Sequence, residues 1–392
     1  MFTLILFLVV LSLLVFVHEW GHFIAAKKFG MKVYEFGFGF PPRAIGIYKD
    51  PKTKKWVLVK KSKTQDLHDT VGGRDRAGAD EYPATVYSLN WLPLGGFVKI
   101  KGENGEEAQS PDSFGYHKAW KKAVVLVAGV TMNFLLAWLL LGVGFMSGLP
   151  TDITNGVDGS ATIVGESSIV VQQVSPDSPA KNGGIEAGDK ILSVNDVDIE
   201  NSKQLIALVG EQSNQELVIN LSRRGELYSV LVTPTFDEVE GRARMGVMIA
   251  DAAIVKYPWY SALFHGFVSA VYGVVGIVNG FFLLIQGLIF GQGLVLDVAG
   301  PVGIASIIGD SARLGWTYLL NVTAMISLSL AVINILPIPA LDGGRLLFVI
   351  IEKISKKPVP KKYEQIAHTI GFVLLMGLII IVSVRDVVKI FS

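Results

Sequence analysis

Five residues near the start of the chain, His18-Glu19-Trp20-Gly21-His22, have the types and spacing of a metal-assisted hydrolytic site. On a helix, positions i and i+4 share one face about a turn apart. Two imidazoles there reach one ion, and the carboxylate beside them can take a proton from water. The chain has no cysteine, so any metal must be held by histidine and carboxylate. Catalytic zinc takes three protein ligands and leaves a position open, which calls for a third His, Asp or Glu at the same depth. Asp342 is the candidate, in Asn334-Ile-Leu-Pro-Ile-Pro-Ala-Leu-Asp342-Gly-Gly-Arg345. The competing readings are a polar cluster that bridges helices, for the histidines, and a turn or helix cap before two glycines, for Asp342.

The elements that must carry these residues are membrane helices. Of the 392 residues 51% are hydrophobic and only 18% charged, and the mean hydropathy is +0.47, above that of a soluble globular chain. A disordered protein, a nucleic-acid binder and an ordinary cytosolic enzyme are excluded, and a net charge of +1 gives no long-range field. A span needs about 20 largely apolar residues. Four segments are expected to supply one each: 1–26, 122–149, 318–345 and, within 346–392, about 366–384. The first lacks the basic start and small-residue cleavage site of a signal peptide and is expected to be retained. His18 lies nine residues before Lys27, about 13 Å inside that helix end. Three ionisable groups at such depth cost several kcal/mol unless paired or metal-bound.

Loop charge orients the spans. Lys27, Lys28, Lys32, Arg43, Lys49, Lys52, Lys54, Lys55, Lys60, Lys61 and Lys63 follow the first, and Arg345, Lys353, Lys356, Lys357, Lys361 and Lys362 separate the last two. The positive-inside rule places both loops in the cytoplasm. That requires an even number of crossings between them, so the apolar stretch 266–290, within 258–317, is expected to be in-plane or re-entrant. The intervening 162–250, with its short alternating strands and turns, is expected to form one small extracytoplasmic domain. Residues 27–121 are expected to be β-rich and membrane-associated, with Tyr34, Phe36, Phe38 and Phe40 at period two marking a strand that dips towards the bilayer. An interfacial aromatic anchor is the alternative.

His18-Glu-Trp-Gly-His22-Phe in a first span, with Asn334…Pro337…Pro339…Leu341-Asp342-Gly343 in a late one, resembles the site-2 protease family of zinc intramembrane proteases, and within it the bacterial regulator-of-sigma-E protease group. Gly37-Phe-Gly39, Leu94-Gly-Gly-Phe-Val-Lys99, Gly129…Asn133-Phe134 and Gly300-Pro-Val-Gly303 agree. The similarity covers nearly the whole chain. It implies His18, His22 and Asp342 as ligands of a Zn2+ ion and Glu19 as the base. It further implies a membrane-associated β-hairpin, with Gly37, Phe38 and Gly39, that receives the unwound substrate by strand addition. Asn334, Pro337, Pro339 and Asn133 are implied in substrate handling, although a kink for the prolines and an interhelical bond for Asn133 are the plainer roles. Ala180…Gly184-Ile-Glu-Ala-Gly-Asp-Lys-Ile-Leu-Ser-Val-Asn195 is similar to the PDZ fold of bacterial proteases, either as a substrate filter or as a spacer. Two departures stand out: Val130 where a proline is common, and one PDZ-like domain where some members carry two.

The fold expected is therefore a polytopic α-helical membrane protein with four spans, a membrane-associated β-hairpin and one α+β PDZ-like domain, in a bacterial inner membrane. The expected partners are the lipid bilayer and single-span membrane proteins such as anti-sigma factors after a first cleavage, with no nucleic acid. Two other classes are distinguishable. A scaffold or sensor with a structural metal would be closed by four ligands, and only three are evident. A metal transporter would spread ionisable groups along a path, whereas polarity concentrates at one place. His68, His117, His265 and His368 are expected to be loop or interfacial residues.

Overall fold

The computed structural model describes residues 2–59, 82–103, 109–290 apart from 176, 224 and 239, and 299–391 apart from 358. His68 and Lys60–Lys63 of the basic loop lie outside the described residues. The chain divides into two compact units, one of residues 1–141 and 266–392, the other of 142–265.

In the first unit α1 (Phe2–Lys28) is an almost wholly apolar helix. A two-hairpin sheet follows it: β1 (Val33–Lys49), β2 (Trp56–Val59) and β3 (Val86–Ile100). The two long strands are bent and interleaved. The first arm of β1 pairs with the second arm of β3 from Val33↔Ile100 to Phe38↔Gly96, and again with the first arm of β3 from Glu35↔Val86 to Phe38↔Leu89. The second arm of β1 pairs with β3 through Arg43↔Asn90 to Ile47↔Tyr87 and with β2 through Gly46↔Val59 to Lys49↔Trp56. A buried Glu35–Arg43 ion pair ties the two arms of β1. Arg43, one of the basic residues that follow the first span, is thereby neutralised inside the sheet.

Helix α2 (Ala119–Ser147) is the second long apolar helix. The second unit begins within it and comprises β4 (Leu149–Asp152), β5 (Thr162–Val174), α3 (Pro179–Asn182), β6 (Lys190–Val194), β7 (Val197–Asp198), α4 (Ser202–Gly210), β8 (Leu217–Arg223), β9 (Glu226–Val232), β10 (Thr235–Asp237), β11 (Arg242–Arg244) and β12 (Val247–Lys256). Its main sheet has the order β4-β12-β5-β6-β8-β9, with β7 beside β6. The alternation of β6 and β8 delivers Ile191, Leu217, Ile219 and Leu221 to one core with Ile169, Ile185 and Leu205. Asn201 caps α4 through the Gln204 N–H, and Asp251 of β12 accepts the Ser202 N–H and hydroxyl at 2.6 and 2.7 Å. The strands and turns of this unit thus enclose a core of their own.

The chain then forms α5 (Trp259–Ile289), α6 (Pro301–Leu314), α7 (Trp316–Ile335), α8 (Asp342–Ser355) and α9 (Lys361–Phe391). Helices α1, α2, α5, α7 and α9 are each long and apolar enough to cross a membrane. Two expected boundaries change. Segment 258–317 contains an unbroken 31-residue helix, α5, with no break at which a re-entrant turn would form, followed by a separate helix, α6. Segment 318–345 is two helices, because Pro337 and Pro339 interrupt backbone donation and the chain between Ile335 and Asp342 leaves helical geometry. Apolar side chains of α1, α2, α6 and α7 meet around Val10, Leu14 and Ile308. The cytoplasm-facing end expected for α1 packs Ala25, Ala26 and Met31 with Val33, Ile100, Val125, Leu126 and Val349. These two cores flank the histidine pair along α1.

Candidate metal centre

His18 and His22 lie one turn apart on α1, both buried, and both face Asp342 at the start of α8. His18 Nε2 is 2.9 Å and His22 Nε2 3.2 Å from Asp342 Oδ2, and the two imidazole Nε2 atoms are 3.2 Å apart. All three ligand atoms fall within 4.8 Å of one another. The histidine pair is read off one helix, but the aspartate is 324 positions away from His18. Only the break after α7 lets the chain turn and present Asp342 sideways. Asp342 is not a cap: it is the first residue of α8, and its carboxylate is directed at the histidines.

The donor set fits zinc. With ligand bonds of about 2.0–2.2 Å and tetrahedral angles, neighbouring donors stand about 3.3–3.6 Å apart, a few tenths of an ångström beyond the 2.9–3.2 Å observed. His22 Nδ1 donates to the Val125 carbonyl at 2.8 Å. A carbonyl can only accept, so the proton sits on Nδ1 and Nε2 presents its lone pair, the usual arrangement for a ligating histidine. The Asn133 amide lies 3.4 Å from His18 Nδ1, and its Oδ1 is buried without a partner. Turning the amide over, which exchanges its O and N, lets that oxygen accept from His18 Nδ1–H and leaves His18 Nε2 as a ligand too. Asn133 is itself anchored from α7, where the Ser327 hydroxyl donates to its backbone carbonyl at 2.8 Å.

Two glycines make this approach possible. A Cβ on Gly129 would stand 2.8 Å from His18 Cε1 and collide with His22 Nε2, so α2 backs the imidazoles with bare backbone. A Cβ on Gly21 would lie 2.7 Å from the Ala128 carbonyl carbon and 2.8 Å from Met132 Cγ. The Gly-x-x-x-Asn segment and the glycine inside His-Glu-Trp-Gly-His are thus both explained by one close helix crossing.

A cavity of about 220 Å³ opens beside the three ligands, lined by Val15, His18, Glu19, Asn133, Leu330, Asn334, Ala340, Leu341 and Asp342. At about 30 Å³ per water it holds several waters or a peptide unit. Glu19, Asn133 and Asn334 share this cavity with His18 and Asp342. Pro337 and Pro339 are absent from its lining and act by shaping the turn that carries Ala340 and Leu341.

Gly37, Phe38 and Gly39 are placed differently from expectation. They lie in the first arm of β1, which is paired on both sides by β3, so that arm has no open edge. Phe38 packs on Phe16 of α1 at 5.8 Å between ring centres. It lines a second, apolar cavity of about 420 Å³ with Phe16, Phe36, Ile45, Ile47 and Leu89. The second arm of β3, 92–100, pairs only with β1 among the described strands. It lies against α1: a Cβ on Gly95 would stand 2.8 Å from Val15. The Ser12 hydroxyl donates to the Pro93 carbonyl at 2.8 Å and accepts the Gly95 N–H at 3.2 Å. Gly95-Gly96 inside an alternating strand was the sequence signal for this close approach. At the end of β3, Glu103 forms an ion pair with Arg345, three residues after Asp342.

The chain is similar to known proteins over most of its length. The model of Peptidase family M50 matches residues 6–58 and 79–378. A Fusobacterium nucleatum protein with the provisional name of zinc metalloprotease is 31% identical over the full length of both chains. The zinc metalloprotease RasP of Oceanobacillus iheyensis is 28% identical, again over both full lengths. Among solved structures, the PDZ domain of an SdrC-like protein from Listeria monocytogenes aligns with 22% of this chain and 93% of its own, at 20% identity and a TM-score of 0.21.

Proposed function

The chain belongs to peptidase family M50, the site-2 protease family of zinc metalloproteases, and from that premise we propose that it hydrolyses the transmembrane segments of single-span membrane proteins. The observation that carries this reading is the convergence of His18 and His22, on the apolar helix α1 beside Glu19, with Asp342 at the start of α8. Zinc bound there supplies Lewis acidity towards a peptide carbonyl and acidifies water. Glu19, in the same cavity, accepts a proton from the attacking water and returns it to the leaving amide nitrogen. Asn133 orients His18, and the Asn334 amide offers a donor to the carbonyl oxygen as charge develops on it.

A helical substrate must be unwound first, and each exposed backbone group costs several kcal/mol in lipid unless it is re-paired. The open edge of the second β3 arm is the surface we assign to that pairing. It begins beyond Gly95, whose N–H is taken by Ser12, and passes Phe16, two residues before His18. The β1 residues Gly37, Phe38 and Gly39 support this strand from behind, and the apolar cavity between Phe38 and Leu89 is placed to take a substrate side chain. We assign the metal side to the cytoplasm of a bacterial inner membrane and 162–250 to its outside, a reading that the basic loops support. On this reading the substrates are remnants of an earlier cleavage, such as anti-sigma factors.

Glu19→Gln tests the chemistry. The variant is expected to bind zinc as the wild type does and to lose at least about 100-fold in cleavage of a model transmembrane peptide in detergent, the scale of a lost general base. Cleavage within a few-fold of wild type would remove Glu19 from this role, and zinc bound without any peptidase activity in the wild type would favour a structural metal.

A further inference from the structure

We propose that His368, on α9, is a positioning residue for the third metal ligand: it holds the turn that aims Asp342 at the histidine pair. The inference rests on the reading of His18, His22 and Asp342 as a zinc centre. Ala340, two residues before Asp342, has φ +79°, a left-handed conformation that costs an L-residue with a Cβ and persists only where its surroundings hold it. The holding contact comes from α9. The Ala340 N–H donates to His368 Nδ1 at 2.8 Å, and the two residues are 28 positions apart. Nδ1 accepts only when bare, so the ring proton is on Nε2, which is buried, with Glu364 Oε1 3.9 Å away.

Two further contacts fix the imidazole and the turn. The Phe348 ring of α8 packs on His368 at 5.7 Å between centres. One turn along α9, a Cβ on Gly371 would stand 2.7 Å from the Pro339 carbonyl carbon, so the α9 backbone itself lies against the turn. The same turn closes through the Leu341 N–H to the Ile338 carbonyl at 3.2 Å. Removing the Nδ1 acceptor leaves Ala340 free to relax to negative φ. That swings the peptide leading into Asp342 and takes its carboxylate off the imidazoles. Metal affinity thereby depends on a residue of the last long helix that touches neither the ion nor its ligands.

The test is zinc release from the purified full-length protein in detergent against a competing chelator. His368→Leu is expected to loosen zinc about 10–100-fold, the usual scale for a residue behind a ligand. His368→Asn, whose amide oxygen stands near the place of Nδ1, is expected to restore binding to within a few-fold. A general packing role would not predict the third result: in an A340G background, where glycine takes positive φ without strain, H368L is expected to cost only a few-fold. His368→Gln, which carries the amide one carbon beyond Ala340, replaces H368L should leucine prevent folding, as judged by the zinc-free melting midpoint. Unchanged zinc release in H368L and H368Q overturns the proposal, as does an equal penalty with and without A340G. Zinc held as tightly by Asp342→Ala as by the wild type would instead overturn the zinc-centre reading itself.

Discussion

A single methyl group separates the metal site from a distorted one at Gly129. Its Cβ would fall on the imidazoles of both His18 and His22, and α2 is pinned there by the Val125 and Asn133 contacts. Gly129→Ala is expected to lower zinc affinity by at least about 10-fold, as loss of ligand orientation does. Gly276→Ala, in an open stretch of α5 with no neighbour near its Cβ, is expected to leave it unchanged. The measurement is the same chelator competition for both, and equal behaviour of the two variants would contradict the account of the helix crossing. At this scale the sequence was informative wherever chemistry is local. His18, Glu19 and His22 are legible because four residues make a helical turn, and Asp342 because the chain has no cysteine to compete with it. His368 left no such trace. Accepting one backbone N–H needs no motif, and that role becomes visible only when Ala340 is seen to be strained.

Among the elements, what could not be read was register. Alternating aromatics in β1 announce a strand, but nothing local says that both of its edges are taken by the two arms of β3. Among the described strands the unpaired edge is therefore that of the second arm of β3, where Gly95 and Gly96 lie against α1, and not Gly37–Gly39. The absence of cysteine makes a direct test available. A single cysteine at Val98 is expected to form a disulfide with a cysteine series in a model substrate at alternate positions, the period of a paired strand. Cross-linking at a helical period of three to four, or from a cysteine at Gly39 instead, would remove β3 from this role. The α7–α8 break was in view as Pro337 and Pro339. Hydropathy merges the two helices into one span because it averages over a window longer than the six-residue interruption between Ile335 and Asp342.

For the whole molecule, two units with separate cores suggest separable tasks. The second unit buries Ile169, Ile191, Leu217, Ile219 and Leu221 in a core of its own, while His18, His22 and Asp342, the residues that could hold a metal, lie in the first. Deleting 162–250 is expected to leave zinc stoichiometry unchanged and to let the enzyme cut full-length precursors along with trimmed ones. Unaltered preference for trimmed substrates would make the domain a spacer. Composition disclosed the membrane character through a mean hydropathy of +0.47 and a charged share of only 18%. The number of crossings is less legible: α5 satisfies length and hydropathy for a span, and loop charge argues through parity alone. The convergence of α1 and α8 does not depend on that count.

Anomalous diffraction at the zinc edge from crystals of the intact protein tests the central claim most directly. One peak is predicted within about 2.0–2.2 Å of His18 Nε2, His22 Nε2 and an Asp342 carboxylate oxygen, with Glu19 beside it and no fourth protein ligand. A peak bonded elsewhere, or one closed by a fourth side chain, would contradict the assignment of this chain's catalytic centre.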